Sequence, residues 1–205
     1  MTEQMSVKIA ALPSLRLTVE AHGLMAKKAL GQNFLLDQNI TDKIINLSLQ
    51  KQNKKDFSGA NVFEVGPGPG GLTRAVLAAE PKSLTVVEMD ERCIAIMNEI
   101  KEKTGDILHI INGDAMQTDF SVLAPAPRHI ISNLPYNISV PLLVGWLKNI
   151  NAYDSLTLMF QKEVAERITA PIKTKDYGRI SVLSQLQCRI DHLLDLNPCL
   201  LYTSP

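Results

Sequence analysis

From Asn61 onward the chain alternates short runs rich in Val, Ile, Leu and Thr with segments of helical spacing, and few architectures accept that alternation. Strand-like runs fall at 61–65, 84–88, 107–111, 129–133, 155–160 and about 188–195. Helical patterns occupy 72–79, 91–103, 140–149 and 162–170, with Asp90 and Ser139 placed to cap the second and third of them. Repeats of strand and helix at this length build a mostly parallel α/β sheet with flanking helices. Ahead of the sheet, residues 37–50 read as an amphipathic helix with Ile40, Ile44, Ile45 and Leu47 on its apolar side. A lysine-rich linker, 51–55, ends that unit, and a polar loop at 171–177 interrupts the late part of the chain.

Ligands of such sheets bind where the strands end, so the residues that follow each strand carry the functional information. After the first strand comes Glu64-Val65-Gly66-Pro67-Gly68-Pro69-Gly70-Gly71. Glycines there let the backbone approach a ligand and turn sharply into a helix. Gly66, Gly68 and Gly71 also match a dinucleotide fingerprint, which alone is a weak signal. Glu88 ends the second strand and suits an acid bonded to ribose hydroxyls under either reading. Three details favour S-adenosylmethionine. Glu64 stands two residues before the first glycine, where it attracts a cationic group or orders the loop. Pro67 and Pro69 stiffen a loop that has no pyrophosphate to wrap. Asp114, after the third strand, is placed to accept a hydrogen bond from an adenine amine. The alternative for these acids is a set of solvated turn residues or caps.

The fourth strand runs into Asn133-Leu134-Pro135-Tyr136. An adenine N6 amine is a poor nucleophile because its lone pair is delocalised into the ring. Two acceptors, the Asn133 side-chain oxygen and the Leu134 carbonyl, would draw its hydrogens and orient the lone pair, while Pro135 holds that carbonyl and Tyr136 stacks on the base. Methyl transfer then needs positioning and electrostatics, with no strong base. The base must leave its helix to reach such a pocket. A strand-ending turn with a locally packed Tyr is the plainer reading of the tetrapeptide by itself.

Several function classes are disfavoured by composition. The longest apolar stretches, such as 141–147, are too short to span a bilayer. Pro13, Arg16 and Glu20 interrupt the region where a secretory signal would be apolar, so a cytoplasmic protein is expected. Cys93, Cys188 and Cys199 lie far apart without metal-ligand spacing, which suggests free thiols and no metal. Net charge is zero, mildly against a nucleic-acid partner. Residues 1–55, however, hold eight Lys/Arg against four Asp/Glu, and the remainder 13 against 17. A basic N-terminal arm suits a phosphate backbone, though a solvated surface is the commoner reason for such a bias.

The chain resembles the small-subunit ribosomal RNA adenine dimethyltransferases, kin to the large-subunit RNA methyltransferases of antibiotic resistance. The resemblance rests on Lys28-Ala29-Leu30-Gly31-Gln32-Asn33-Phe34-Leu35, the glycine loop, Val87-Glu88-Met89-Asp90, Gly113-Asp114-Ala115, Asn133-Leu134-Pro135-Tyr136-Asn137-Ile138-Ser139, Gln161-Lys162-Glu163-Val164-Ala165 and Tyr177-Gly178-Arg179-Ile180-Ser181-Val182. It implies a Rossmann-like methyltransferase fold and S-adenosylmethionine held by Asn33, Leu35, Glu64, Gly66, Gly68, Glu88, Asp114 and Asn133. It further implies dimethylation of two adjacent adenines near the 3′ end of small-subunit rRNA, on a pre-30S-like particle, by a monomer. RNA contact by Lys27, Lys28, Lys173, Lys175 and Arg179 is a weaker expectation. A ribosome-assembly factor acting mainly by binding is the alternative. The expected organisation is an N-terminal arm and closing helix over 1–55, an incomplete methyltransferase domain over 56–198, and a non-native tail over 199–205. That tail departs from the family, which continues with a stacking Phe, another strand and a helical domain. The chain is therefore expected to be C-terminally incomplete, with Tyr202 the one residue available to replace the stacking aromatic.

Overall fold

The computed structural model describes residues 2–24, 33–197 and 200–202, the side chains of 2–4 and 202 excepted. Five strands form one parallel sheet: β2 (Asn61–Val65), β3 (Ser83–Glu88), β4 (Leu108–Asn112), β5 (Arg128–Asn133) and β6 (Ser155–Met159), in the order β4-β3-β2-β5-β6. Each boundary lies within one residue of the sequence expectation. The order reverses direction between β2 and β5, so a crevice must open at their carboxyl ends. Their pairing stops at Phe63–Ile130, and beyond it the Ser132 hydroxyl donates to the Val65 carbonyl at 2.6 Å, spanning the gap that the ladder leaves.

Adjacent residues of each central strand feed opposite sides of the sheet, as a period of two requires. Val62, Val86 and Ile131 pack with α3 (Gln38–Lys51), α4 (Gly71–Ala78) and α5 (Glu91–Thr104). Their neighbours Phe63, Val87 and Ile130 pack with Trp146 of α6 (Ser139–Lys148). Phe63, Phe120 and Trp146 form an edge-to-face chain, with centroids 5.7 and 6.0 Å apart. Asp37 caps α3 through the Asn39 amide and Asp90 caps α5 through the Arg92 amide. Ser139 is one residue inside α6; Ile138 holds the cap position, and the Ser139 hydroxyl bonds back to the Tyr136 carbonyl at 3.0 Å.

Three elements depart from the sequence expectation. The run at 188–195 is not a strand: it pairs with no described strand, and its Asp191 instead pairs with Lys51 at 3.1 Å. The expected helix at 162–170 is present as α7 (Lys162–Thr169), but it is followed by an unexpected α8 (Arg179–Gln187), whose β-branched and Ser residues give weak helical signal. Packing compensates: Ser181 accepts from the Gly178 amide and donates to the Arg167 carbonyl, tying α8 to α7. The N-terminal arm holds two helices, α1 (Thr2–Ala10) and α2 (Leu15–Ala21). Arg74 of α4 anchors the second, donating to the Pro13 carbonyl at 2.6 Å and Thr18 Oγ1 at 3.3 Å.

At the end of the sheet remote from the crevice, buried His129 sits between the Lys54 ammonium (3.0 Å) and Ser155 (2.7 Å). Lys54 can only donate, so His129 accepts on Nε2 and donates from Nδ1. Burial and the Lys54 charge push its pKa from the ordinary 6.5 down to about 4, against a smaller pull from Asp154. The unfolded chain therefore binds the extra proton first. This contribution to stability is complete above about pH 6.5 and is lost as pH falls toward 4. Urea midpoints measured from pH 7.5 to 4 should fall across that window, and His129→Gln should remove part of the slope. An identical slope in the variant would exclude His129 as its source.

Candidate functional site

The crevice at the β2–β5 reversal is a cavity of about 300 Å³. Its floor is the glycine loop, and its walls come from the ends of β3, β4 and β5 and from β1 (Phe34–Leu35). Gly66 and Gly68 both have positive φ, +65° and +54°. A Cβ at Gly68 would lie 2.8 Å from the Phe34 ring, and one at Gly66 would lie 3.3 Å from Pro135. Both positions need a residue without a side chain, because the strand-end motif and β1 press directly on the loop.

The expected cofactor residues Asn33, Leu35, Glu64, Gly66, Gly68, Glu88, Asp114 and Asn133 all line this one cavity. They come from five separate places in the chain and meet only through the strand order. Glu64 is 1% exposed, and burial pushes its carboxyl up to about 8, with a hydrogen bond from Thr73 at 2.8 Å opposing the shift. In the free protein at neutral pH it is therefore mostly protonated, and a cation bound beside it would favour the ionised form. Burial also raises the Glu88 carboxyl, against the amides of Asp90, Met89 and Gly68. Its Oε1 takes the Met89 and Asp90 amides at 2.8 and 2.9 Å, which fixes the side chain at the crevice. Asp114 spends Oδ1 capping the following 3-10 turn through the Met116 amide at 2.8 Å. The turn-cap reading of that acid is thus realised alongside its place in the wall.

Asn133 is the most informative side chain. Its Nδ2 donates to the Asn33 carbonyl at 2.7 Å, while its Oδ1 is shielded from solvent and has no hydrogen-bond partner among the described residues. The reverse orientation would set two acceptors against each other, so the amide can point only this way. A buried acceptor left unpaired costs about 1–3 kcal/mol, and its natural remedy is a donor brought by a ligand. Leu134 and Pro135 also line the cavity; Tyr136 does not, and its half-buried phenol has a raised pKa from burial.

The site fits S-adenosylmethionine on this geometry: glycines open the floor, the buried acids Glu64 and Glu88 line the walls, and Asn133, with its orphaned acceptor, stands among the lining residues. The Leu35 carbonyl sits against Gly71 at the start of α4, so close that a Cβ there would lie 2.5 Å from it. That contact packs β1 directly on the start of α4. Sequence reasoning missed Phe34, whose ring seats on Gly68, and Met89 and Met116, exposed apolar side chains in the wall. An apolar residue beside the recognised motifs gives no signal of its own. Lys173, Lys175 and Arg179 are exposed around the α7–α8 connection, and Lys27 and Lys28 lie outside the described residues. No group of three metal-ligating side chains occurs among the described residues, and no described helix is long and apolar enough to cross a membrane.

Residues 23–205 match the profile of a family described as ribosomal RNA adenine dimethylase. A ribosomal RNA small subunit methyltransferase A of Gluconobacter oxydans is 51% identical over 175 residues, covering 85% of this chain and 56% of the relative. That of Rhodospirillum rubrum is 45% identical over 187 residues, covering 91% and 63%. The chain thus spans less than two thirds of the length of these relatives. Among solved structures, a dimethyladenosine transferase from Plasmodium falciparum is 30% identical with a TM-score of 0.66, covering 77% of this chain and 54% of that one. The 23S rRNA methyltransferase ErmE is 27% identical with a TM-score of 0.53, covering 74% and 55%.

Proposed function

The chain belongs to the ribosomal RNA adenine dimethylase family, and on that premise we propose that it transfers methyl groups from S-adenosylmethionine to adenine N6 amines of small-subunit rRNA. The observation that carries this reading is the orphaned Asn133 Oδ1, a fixed acceptor beside a cofactor-sized crevice. The bound cofactor supplies an electrophilic methyl group on a sulfonium. Glu88 suits the ribose hydroxyls, Asp114 an adenine amine, and Glu64 the cationic end, with Gly66 and Gly68 opening the floor and residues 33–35 roofing it.

The remaining chemistry belongs to the strand-end motif. Asn133 Oδ1 accepts one hydrogen of the target amine and the Leu134 carbonyl suits the other. Electron density shifts toward nitrogen, and the lone pair turns to the crevice, where the methyl group is presented. Pro135 restricts the residue before it to extended backbone, which holds the Leu134 carbonyl in place. As the nitrogen–methyl bond forms, the sulfonium–methyl bond would break to leave a neutral thioether. The resulting anilinium-type nitrogen still carries an acidic N–H, so its proton leaves to water without a dedicated base. Tyr136 supplies a face for stacking at the rim. Exposed Lys173, Lys175 and Arg179 suit phosphate contacts that position RNA without reading its sequence. The parent particle in this proposal is a small-subunit precursor, engaged by a monomer in the cytoplasm.

The test is direct. Small ribosomal subunits lacking adenine methylation are incubated with the chain and S-adenosylmethionine, and their nucleosides are analysed by mass. N6,N6-dimethyladenosine at two adjacent positions is the expected product. Methylation of a different atom, or a chain that binds the cofactor and leaves adenine unmodified, would overturn the assignment.

A further inference from the structure

We infer that residues 33–35 do more than roof the cofactor: through the Asn33 carbonyl they orient the acceptor amide of Asn133, and Phe34 is the positioning residue that holds this contact. The inference rests on the adenine-methylation reading and adds to it a cause for the amide's orientation. Asn133 has one hydrogen bond that sets its rotation, the 2.7 Å bond from Nδ2 to the Asn33 carbonyl. No described residue pairs with Oδ1. An Asn side-chain amide rotates easily about its last bond, so without the Asn33 carbonyl either end could face the substrate amine. With Nδ2 forward, a donor would oppose a donor.

The carbonyl's position is secured next door. Phe34 is 5% exposed, belongs to the main apolar core, and sets the Cδ1–Cε1 side of its ring on Gly68, where even a Cβ would intrude to 2.8 Å. On its other side, the Leu35 carbonyl abuts Gly71, and the Gln38 amide nitrogen donates to the Gly71 carbonyl at 3.3 Å. The segment is therefore registered against both ends of the glycine loop. Loop, roof and acceptor amide form one assembly, so a shift of Phe34 passes directly to the Asn33 carbonyl one residue away. This makes readiness of the amide conditional on docking of the roof.

The contact is testable in the chain itself by NMR of ¹⁵N-labelled protein, with the Asn133 side-chain amide pair identified by its absence in Asn133→Ala. In the unaltered chain one proton of this pair should be shifted and slow to exchange. Phe34→Ala should return the pair to values typical of free Asn side chains, and Phe34→Leu, which keeps an apolar body on Gly68, should restore it. In single turnover at saturating S-adenosylmethionine, Phe34→Ala should slow methyl transfer about 10²-fold, the scale of an ångström misplacement, with a smaller change in cofactor affinity. Asn133→Asp keeps two acceptor oxygens and loses the donor to Asn33, so it should be slowed as well, which covers the case in which Phe34→Ala fails to fold. Unchanged amide signals in folded Phe34→Ala, or full activity of Asn133→Asp, would overturn the inference. No methyl transfer by the unaltered chain would count against the methylation reading, while the amide signals still decide the contact.

Discussion

Asn133→Ala should lower methyl transfer to adenine by about 10²–10³-fold, the range found when one preorganised hydrogen-bonding group aimed at a reacting centre is removed. The unusual part of this expectation concerns stability. In most buried polar sites, truncation leaves a partner unsatisfied and destabilises the fold. Here Oδ1 has no partner among the described residues to abandon, so its removal relieves a desolvated acceptor, offsetting the loss of the bond from Nδ2 to the Asn33 carbonyl. Thermal unfolding of the variant should therefore stay close to that of the unaltered chain. Its affinity for S-adenosylmethionine should change far less than its rate, because the lost acceptor addresses the target amine. Rate measurement beside calorimetric binding separates these effects. Full activity in Asn133→Ala would remove the residue from the chemistry, and a collapse of cofactor affinity would reassign it to cofactor binding.

The second large effect is expected at the other wall. Glu88→Ala should weaken S-adenosylmethionine binding by about 1–3 kcal/mol, the contribution of a hydrogen bond to a charged group, or about 5- to 150-fold in affinity. The side chain is already fixed by the Met89 and Asp90 amides, so little entropy is lost when a ribose hydroxyl engages it. Glu88→Gln keeps the shape and one acceptor, and it should fall between the two. Because burial, and to a lesser degree the Glu88 charge, raises the cost of ionising Glu64, loss of that charge should also ease ionisation of Glu64. Calorimetric titration across the three proteins checks the order. Equal affinities would place the ribose elsewhere in the crevice.

Much of this architecture is legible in the residues alone. All five strands of the parallel sheet are recognisable because each is an apolar run bounded by turn residues, and their ends carry Glu64, Glu88, Asp114 and Asn133. The departures share a physical cause. The run at 188–195 has strand-like composition, but a strand exists only where it is paired, and this run joins no described sheet. Helix α8 has poor intrinsic propensity and is held by Ser181 and its contacts with α7. In both cases the deciding partner is distant in sequence, and composition carries no record of it.

By itself, then, the sequence determined which residue types stand at the strand ends, because backbone periodicity and turn chemistry are local. It determined the parallel sheet, the glycine loop and the identities of the acceptors. The tertiary structure decided what those residues do to one another. Only the reversal between β2 and β5 brings the carbonyl of residue 33 within 2.7 Å of the side chain of residue 133. Only burial turns Glu64 from an ordinary acid into one with a carboxyl near 8. Only the Asn33 carbonyl, brought to Nδ2 by the fold, sets the Asn133 amide with Oδ1 unpaired among the described residues. Desolvation and orientation depend on the neighbours that folding supplies, and those neighbours are set by long-range packing.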